Sequence, residues 1–158
     1  MSKEHLTTYL NDHLMGAAAA IELLEQFLTE APDLQEFLAG LKGDIESDRD
    51  EVVRVMDHLN ISQSRVRKAT GWFAEQAAEL KFAMTDDESF RRLERLETLA
   101  LGIQGKLNLW RALAAATHLD TGMSRLNYER LQERALDQLS RVEALRIEAA
   151  KTALTAAA

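Results

Sequence analysis

A single proline, Pro32, interrupts a chain whose apolar residues otherwise recur at steps of three and four, and that pairing leaves little room for anything but long helices. Leu6, Leu10, Leu14, Ala17, Ile21, Leu24 and Leu28 mark one face of a first helix over about 3–29, which Pro32 ends. Asp33, with Glu36 three residues on, offers a capping pair for a second helix over about 34–59. A third helix is expected over 63–84, with Val66, Phe73, Ala77, Leu80 and Met84 inward. Thr85 is the expected cap of a fourth over 86–117, where Asp86, Asp87 and Glu88 suit the positive end of the helix dipole. Leu126, Leu131, Ala135, Leu139, Val142 and Leu145 carry the last helix, over 123–154. No stretch alternates as a half-buried strand does, and short connections between long helices favour antiparallel neighbours. The expected architecture is all-α: an up-down antiparallel four-helix bundle with an additional C-terminal fifth helix, in a single domain over residues 1–158.

Composition narrows what such a bundle does. Charged residues, 28% of the chain, are interleaved with the 46% that are hydrophobic. The longest near-apolar run, Leu14 to Leu24, is broken by Glu22 and falls well short of a bilayer span, so no membrane association is expected. The absence of cysteine rules out disulfides, cysteine zinc sites, iron–sulfur clusters and thiol nucleophiles. A net charge of −7 opposes sequence-independent binding to phosphate backbones, leaving "SRVRK", Ser64 to Lys68, as the one local basic stretch. Nucleic acid is therefore not an expected partner. The first residues carry no basic region followed by an apolar core, and a cytoplasmic address is the expectation. Alanine-rich faces on the first and last helices offer surface that a second copy can cover, which makes a homo-oligomer the expected state.

Two stretches break the apolar pattern. "YLNDHL", Tyr9 to Leu14, sets Asp12 and His13 in or beside the first helix's apolar stripe. Folding the first two helices into a hairpin about Pro32 brings His13 opposite roughly Asp50, within a turn of Glu46; the later turns bring Trp72 and Glu75, then Glu97, to that level. Carboxylates meeting midway along a bundle need protons, cations or metal. The second helix's core line also has a gap between Ile45 and Val52, filled by Asp48 or Arg49. In one reading Asp48 or Asp50 pairs with Arg49, Lys106 or the His13 imidazole, in a buried or half-buried network that fixes helix register. "LGIQGKLNLW" is the second stretch: Gly102 and Gly105 inside a helix each cost about 1 kcal/mol relative to alanine. Close helix approach is expected there, or a ligand lying on Gly102, Gly105 and Lys106 with Trp110 and Trp72 as apolar walls. His5, His58 and His118 lie near helix ends, where surface or capping roles are expected. No Gly-rich strand-to-helix loop, Gly-x-Ser-x-Gly elbow or His-Glu-x-x-His is present, so nucleotide binding, acyl transfer and zincin chemistry have no support.

The segments "YLNDHLMGAAAAIELLEQ", "LKGDIESDRDEVVRVMDHL" and "RLETLALGIQGKLNLWRAL" resemble bacterial members of the ferritin-like superfamily. The resemblance lies in helix order and length over most of the chain, and it implies the fold. A full site in that superfamily takes carboxylates from two helices and a Glu-x-x-His pair from each of the other two. Here no glutamate has a histidine three residues later; Glu46 is followed by Arg49, Glu75 by Ala78 and Glu94 by Glu97. What the resemblance implies is a ferritin-like bundle without the usual iron oxidation and storage, a non-catalytic binding or structural protein. The alternative is an atypical metal site, with His13 supplying one nitrogen and Asp12, Glu46, Asp50, Glu75 and Glu97 the oxygens, a set suited to iron, manganese or zinc.

Overall fold

The computed structural model describes residues 3–63, 86–117 and 126–155. These form four α-helices and one 3-10 turn, with no strand: α1 (Lys3–Glu30), the turn Pro32–Leu34, α2 (Gln35–His58), α3 (Glu88–Ala116) and α4 (Tyr128–Thr155). The described residues are all-helical apart from short turns and helix ends, as the periodicity of the sequence requires. The helix expected over 63–84 lies outside the described residues, and so do Trp72, Glu75 and the basic stretch 64–68.

Helix ends depart from expectation in instructive ways. Pro32 opens the turn after α1, but α2 starts behind Leu34 with no side-chain cap. The Asp33 carboxylate instead receives Arg92 Nη1 and Nη2 at 2.7 and 2.8 Å, a bidentate pair that ties this turn to the start of α3. Asp87, rather than Thr85, caps α3, its Oδ1 accepting from Ser89 N at 2.8 Å and Phe90 N at 3.3 Å. α4 begins later than expected because Asn127 Oδ1 accepts from Arg130 N at 3.0 Å, leaving the apolar Leu126 outside the helix. At the end of α2, Asn60 takes a φ of 52°, Ile61 N donates to Met56 O at 2.8 Å and Asn60 N to Asp57 O at 3.2 Å. That is a Schellman closure, in which asparagine tolerates the left-handed backbone and buried Ile61 packs back towards Met56.

Side-chain pairs give the helix directions. Asn11 Nδ2 reaches Ser62 O at 3.3 Å and Lys42 reaches Glu25 at 3.2 Å, so α1 and α2 form an antiparallel hairpin. Lys106 meets Gln138 and Arg146 meets Glu97 at 3.1 Å, so α3 and α4 form a second. Glu30 and Arg95, bound through two contacts of 2.6 and 2.7 Å, set α3 antiparallel to α1; Asp44 with Arg141 and Asp48 with Arg134 set α4 antiparallel to α2. α2 and α3 therefore run the same way, and the end of α2 lies at the opposite end of the helices from the start of α3.

One apolar core joins all four. Leu10, Leu24 and Phe27 enter it from α1, Leu38, Leu41, Ile45, Val52, Val55 and Met56 from α2, and Leu131, Ala135 and Val142 from α4. α3 buries more than one stripe, because Leu99 and Leu109 are buried beside Leu93, Leu96, Ile103, Leu107, Trp110 and Leu113. Burial decides what substitution costs. Leu96→Ala, at a fully buried site, is expected to lower the unfolding free energy by about 2–5 kcal/mol. Leu101→Ala, at a leucine 75% exposed, is expected to change it by no more than about 0.5 kcal/mol. Urea melts of the two variants check this directly.

A buried charged layer as candidate functional site

The gap in the apolar line of α2 is the centre of the structure's polar chemistry. Helical spacing leaves position 48 facing inward between Ile45 and Val52, and the residue there is an aspartate only 2% exposed. An isolated carboxylate in that position is costly, so partners must come from other helices. α3 supplies Lys106, whose Nζ donates to Asp48 Oδ2 at 2.5 Å. α4 supplies Arg134, which donates through Nη2 to the other carboxylate oxygen, and Gln138, whose Nε2 lies 3.4 Å from Oδ2. Lys106 donates in turn to Gln138 Oε1, so the amide orients the ammonium while the ammonium orients the amide. Lys106 is 14% and Arg134 23% exposed; Gln138 is fully buried.

Next to this group, Arg141 spans a second link between α2 and α4. Its Nη2 donates to Asp44 Oδ2 at 3.2 Å, its Nε donates to Asp137 Oδ2 at 2.8 Å, and its guanidinium lies 5.9 Å from the centre of the Phe37 ring. Burial pushes the Lys106 ammonium below its ordinary range; Asp48 opposes that shift, and the nearby Arg134 charge adds to it.

Of the residues singled out as a metal set, those described do not gather into one cluster. Asp12 is exposed. His13 is half-buried with its ring edge-on to Tyr9, centroids 4.7 Å apart, and burial holds its imidazole below the usual range while Asp12 pulls the other way. Glu46 turns to Lys42 at 3.1 Å, Asp50 to its neighbour Arg49 at 2.9 Å, and Glu97 to Arg146 at 3.1 Å. Glu75 lies outside the described residues. Among the described residues no three histidine, aspartate or glutamate side chains gather closely enough to hold a metal ion. Each of these three carboxylates instead has a basic partner.

The glycine face is open rather than tightly packed. A Cβ built on Gly102 or Gly105 would meet nothing within 4 Å, and the same holds for Gly16. No close helix approach therefore accounts for these glycines among the described residues. Lys106 reaches the charged layer one turn beyond Gly102, and Trp110 is wholly buried one turn further on. Of the other histidines, His5 and His58 are exposed near helix ends, and His118 is outside the described residues.

Arg134 and Gln138 are the functional residues that reading the sequence missed. A signal was available: the two are four residues apart and flank buried Ala135, so both lie beside the inward stripe of α4. No protein-family model, curated protein or solved structure matches the chain.

Asp48→Ala leaves two cations half-buried without their carboxylate and is expected to cost about 3–5 kcal/mol in a urea melt. Asp50→Ala, at a carboxylate 55% exposed, is expected to cost no more than about 1 kcal/mol. His13 generates a pH prediction. A base whose pKa is lower folded than unfolded binds its proton first in the unfolded chain, so its stabilising contribution is complete above 6.5 and falls as pH drops through the folded pKa. His13→Gln should flatten that part of the stability profile, as measured by urea melts from the neutral range downwards.

Proposed function

We propose that the chain is a ferritin-like helical bundle acting as a non-catalytic binding or structural protein, in which ion pairs occupy the interior level that a di-metal site takes in that superfamily. The observation that carries this reading is the layer itself. Asp48, Lys106 and Gln138 each lie within about a turn of the midpoint of their helices, and the positive charge facing the buried carboxylate comes from Lys106 and Arg134. Side-chain cations do there what a metal would do for clustered carboxylates.

The helix directions support the fold in this reading. Neighbouring helices among the described residues are antiparallel while α2 and α3 run alike, the directions that four helices of an antiparallel bundle take. The five-helix up-down arrangement expected from the sequence belongs to the same proposal. So does self-association: Leu136, Ile147 and Leu154 are exposed and recur on one outward face of α4 at helical spacing, which offers apolar surface to a second copy. No helix of the described residues is long and apolar enough to cross a membrane.

Elemental analysis of protein purified without chelator or affinity metal, followed by melts with added iron, manganese and zinc, tests the metal-free interior. The expected result is no retained metal and no saturable rise in melting temperature. Near-stoichiometric metal that is lost in a His13→Ala or Glu46→Ala variant would overturn the reading in favour of the carboxylate and histidine site.

A further inference from the structure

Exposed apolar side chains are unevenly distributed. Among the described residues the large ones left to water are Leu101 on α3 and Leu136, Ile147 and Leu154 on α4, whereas α1 and α2 expose none. At about 100° per residue, Leu136 and Leu154 leave α4 in the same direction and Ile147 within about 20° of it, turned well away from buried Ala135 and Val142. Leu101 follows Glu97 by one turn, and Glu97 reaches Arg146 beside Ile147, so Leu101 adjoins that stripe. Apolar side chains aligned in this way mark a surface made for contact.

The charges beside the stripe say what covers it. Glu133 and Lys151 are both exposed and stand about five turns apart on one flank, roughly 50° from the centre of the stripe. The other flank carries uncharged Gln132 and Ala150 at the matching levels. Two copies of α4 packed antiparallel about a twofold axis set like flanks together, so Glu133 meets the partner's Lys151 and Lys151 meets the partner's Glu133. The same register, to within one residue, sets Leu136 against the partner's Ile147 and Ile147 against the partner's Leu136. A parallel pair would turn both charges to the uncharged flank. Within its own chain Lys151 contacts Glu148 at 2.6 Å, but both side chains are about two-thirds exposed, and a pair so exposed gives way at little cost.

We infer that α4 is the interface of a homodimer, packed antiparallel on the α4 of a second copy, with Leu136 and Ile147 at its centre and two Glu133–Lys151 pairs across it. The apolar stripe supplies the affinity and the ion pairs select the orientation. This deepens the self-association in the functional reading and rests on that part of it alone, since a metal-free interior can belong to a monomer and a dimer can form around a metal site.

The test follows the full chain by sedimentation velocity over a concentration series at low ionic strength, where ion pairs are least screened. A shift from monomer to dimer with rising concentration is expected. Lys151→Glu sets like charges against each other twice across the interface and is expected to weaken the dimer about tenfold or more. Glu133→Lys combined with Lys151→Glu restores both pairs with their signs exchanged and is expected to recover most of the parent affinity. Both positions are on the surface, so urea melts of the variants should stay close to the parent's. A parent protein that stays monomeric at every concentration overturns the inference whatever the variants do, and leaves the stripe to a different protein. So does a dimer that Lys151→Glu leaves intact, or one that the exchanged pair fails to restore. Elemental analysis of the same preparation reads the metal question separately.

Discussion

A carboxylate shut away from water in the middle of a helix sets the terms for everything packed around it. Burying Asp48 there is costly unless cations reach it, and those cations stand on two other helices. A slip of α3 by one residue would swing Lys106 about 100° away from Asp48, and a slip of α4 would do the same to Arg134 and Gln138. The apolar core tolerates several registers because leucines at three- and four-residue steps resemble one another. The charged layer tolerates one. Its stabilising contribution is modest, since desolvation offsets much of the attraction, but its discrimination between registers is strong.

The remaining pairs are arranged around this constraint. The Asp33–Arg92 and Glu30–Arg95 pairs fasten the end of α1 and the turn after it to the start of α3, at the end of the molecule away from Asn11 and Ser62. They are bidentate and partly exposed, and they fix direction more than they add stability. Between these ends the two hairpins meet through aliphatic side chains, with Asp48, Lys106, Arg134 and Gln138 interrupting the apolar layer once. The layer is also the level at which a ferritin-like protein would place metal, so the same geometry bears on register and on the proposed absence of metal chemistry.

How much of this was legible beforehand depended on whether the information was periodic or cross-chain. Helix content, and the stop at Pro32, follow from spacing and from one residue's missing N–H, both local. The interruption between Ile45 and Val52 was visible for the same reason, and Lys106 stood among the partners available to Asp48. Metal ligation drew on a different premise, that level along the bundle is enough to bring side chains together. The heights themselves differ: Glu97 stands two residues from Arg95, at the Glu30 end of α1, whereas His13 stands near Asn11 at the other end, and Asp50 and Glu97 turn to Arg49 and Arg146. Caps were misjudged where two side chains competed. Asp33 had Arg92 within reach, a stronger partner than a backbone amide, and nothing nearby in sequence announces a residue almost sixty positions away. Gly102 and Gly105 were read as packing sites, but space rather than a neighbouring helix lies beside them among the described residues.

The most direct test of the register account is a double-mutant cycle between Asp48→Asn and Lys106→Met, read by equilibrium urea unfolding. Groups that act as one layer should couple by about 1–3 kcal/mol, the double variant losing less than the sum of the singles. Additivity to within about 0.5 kcal/mol would contradict the account, because it would mean that Asp48 and Lys106 contribute independently and that the contact between them does not hold the helices in place.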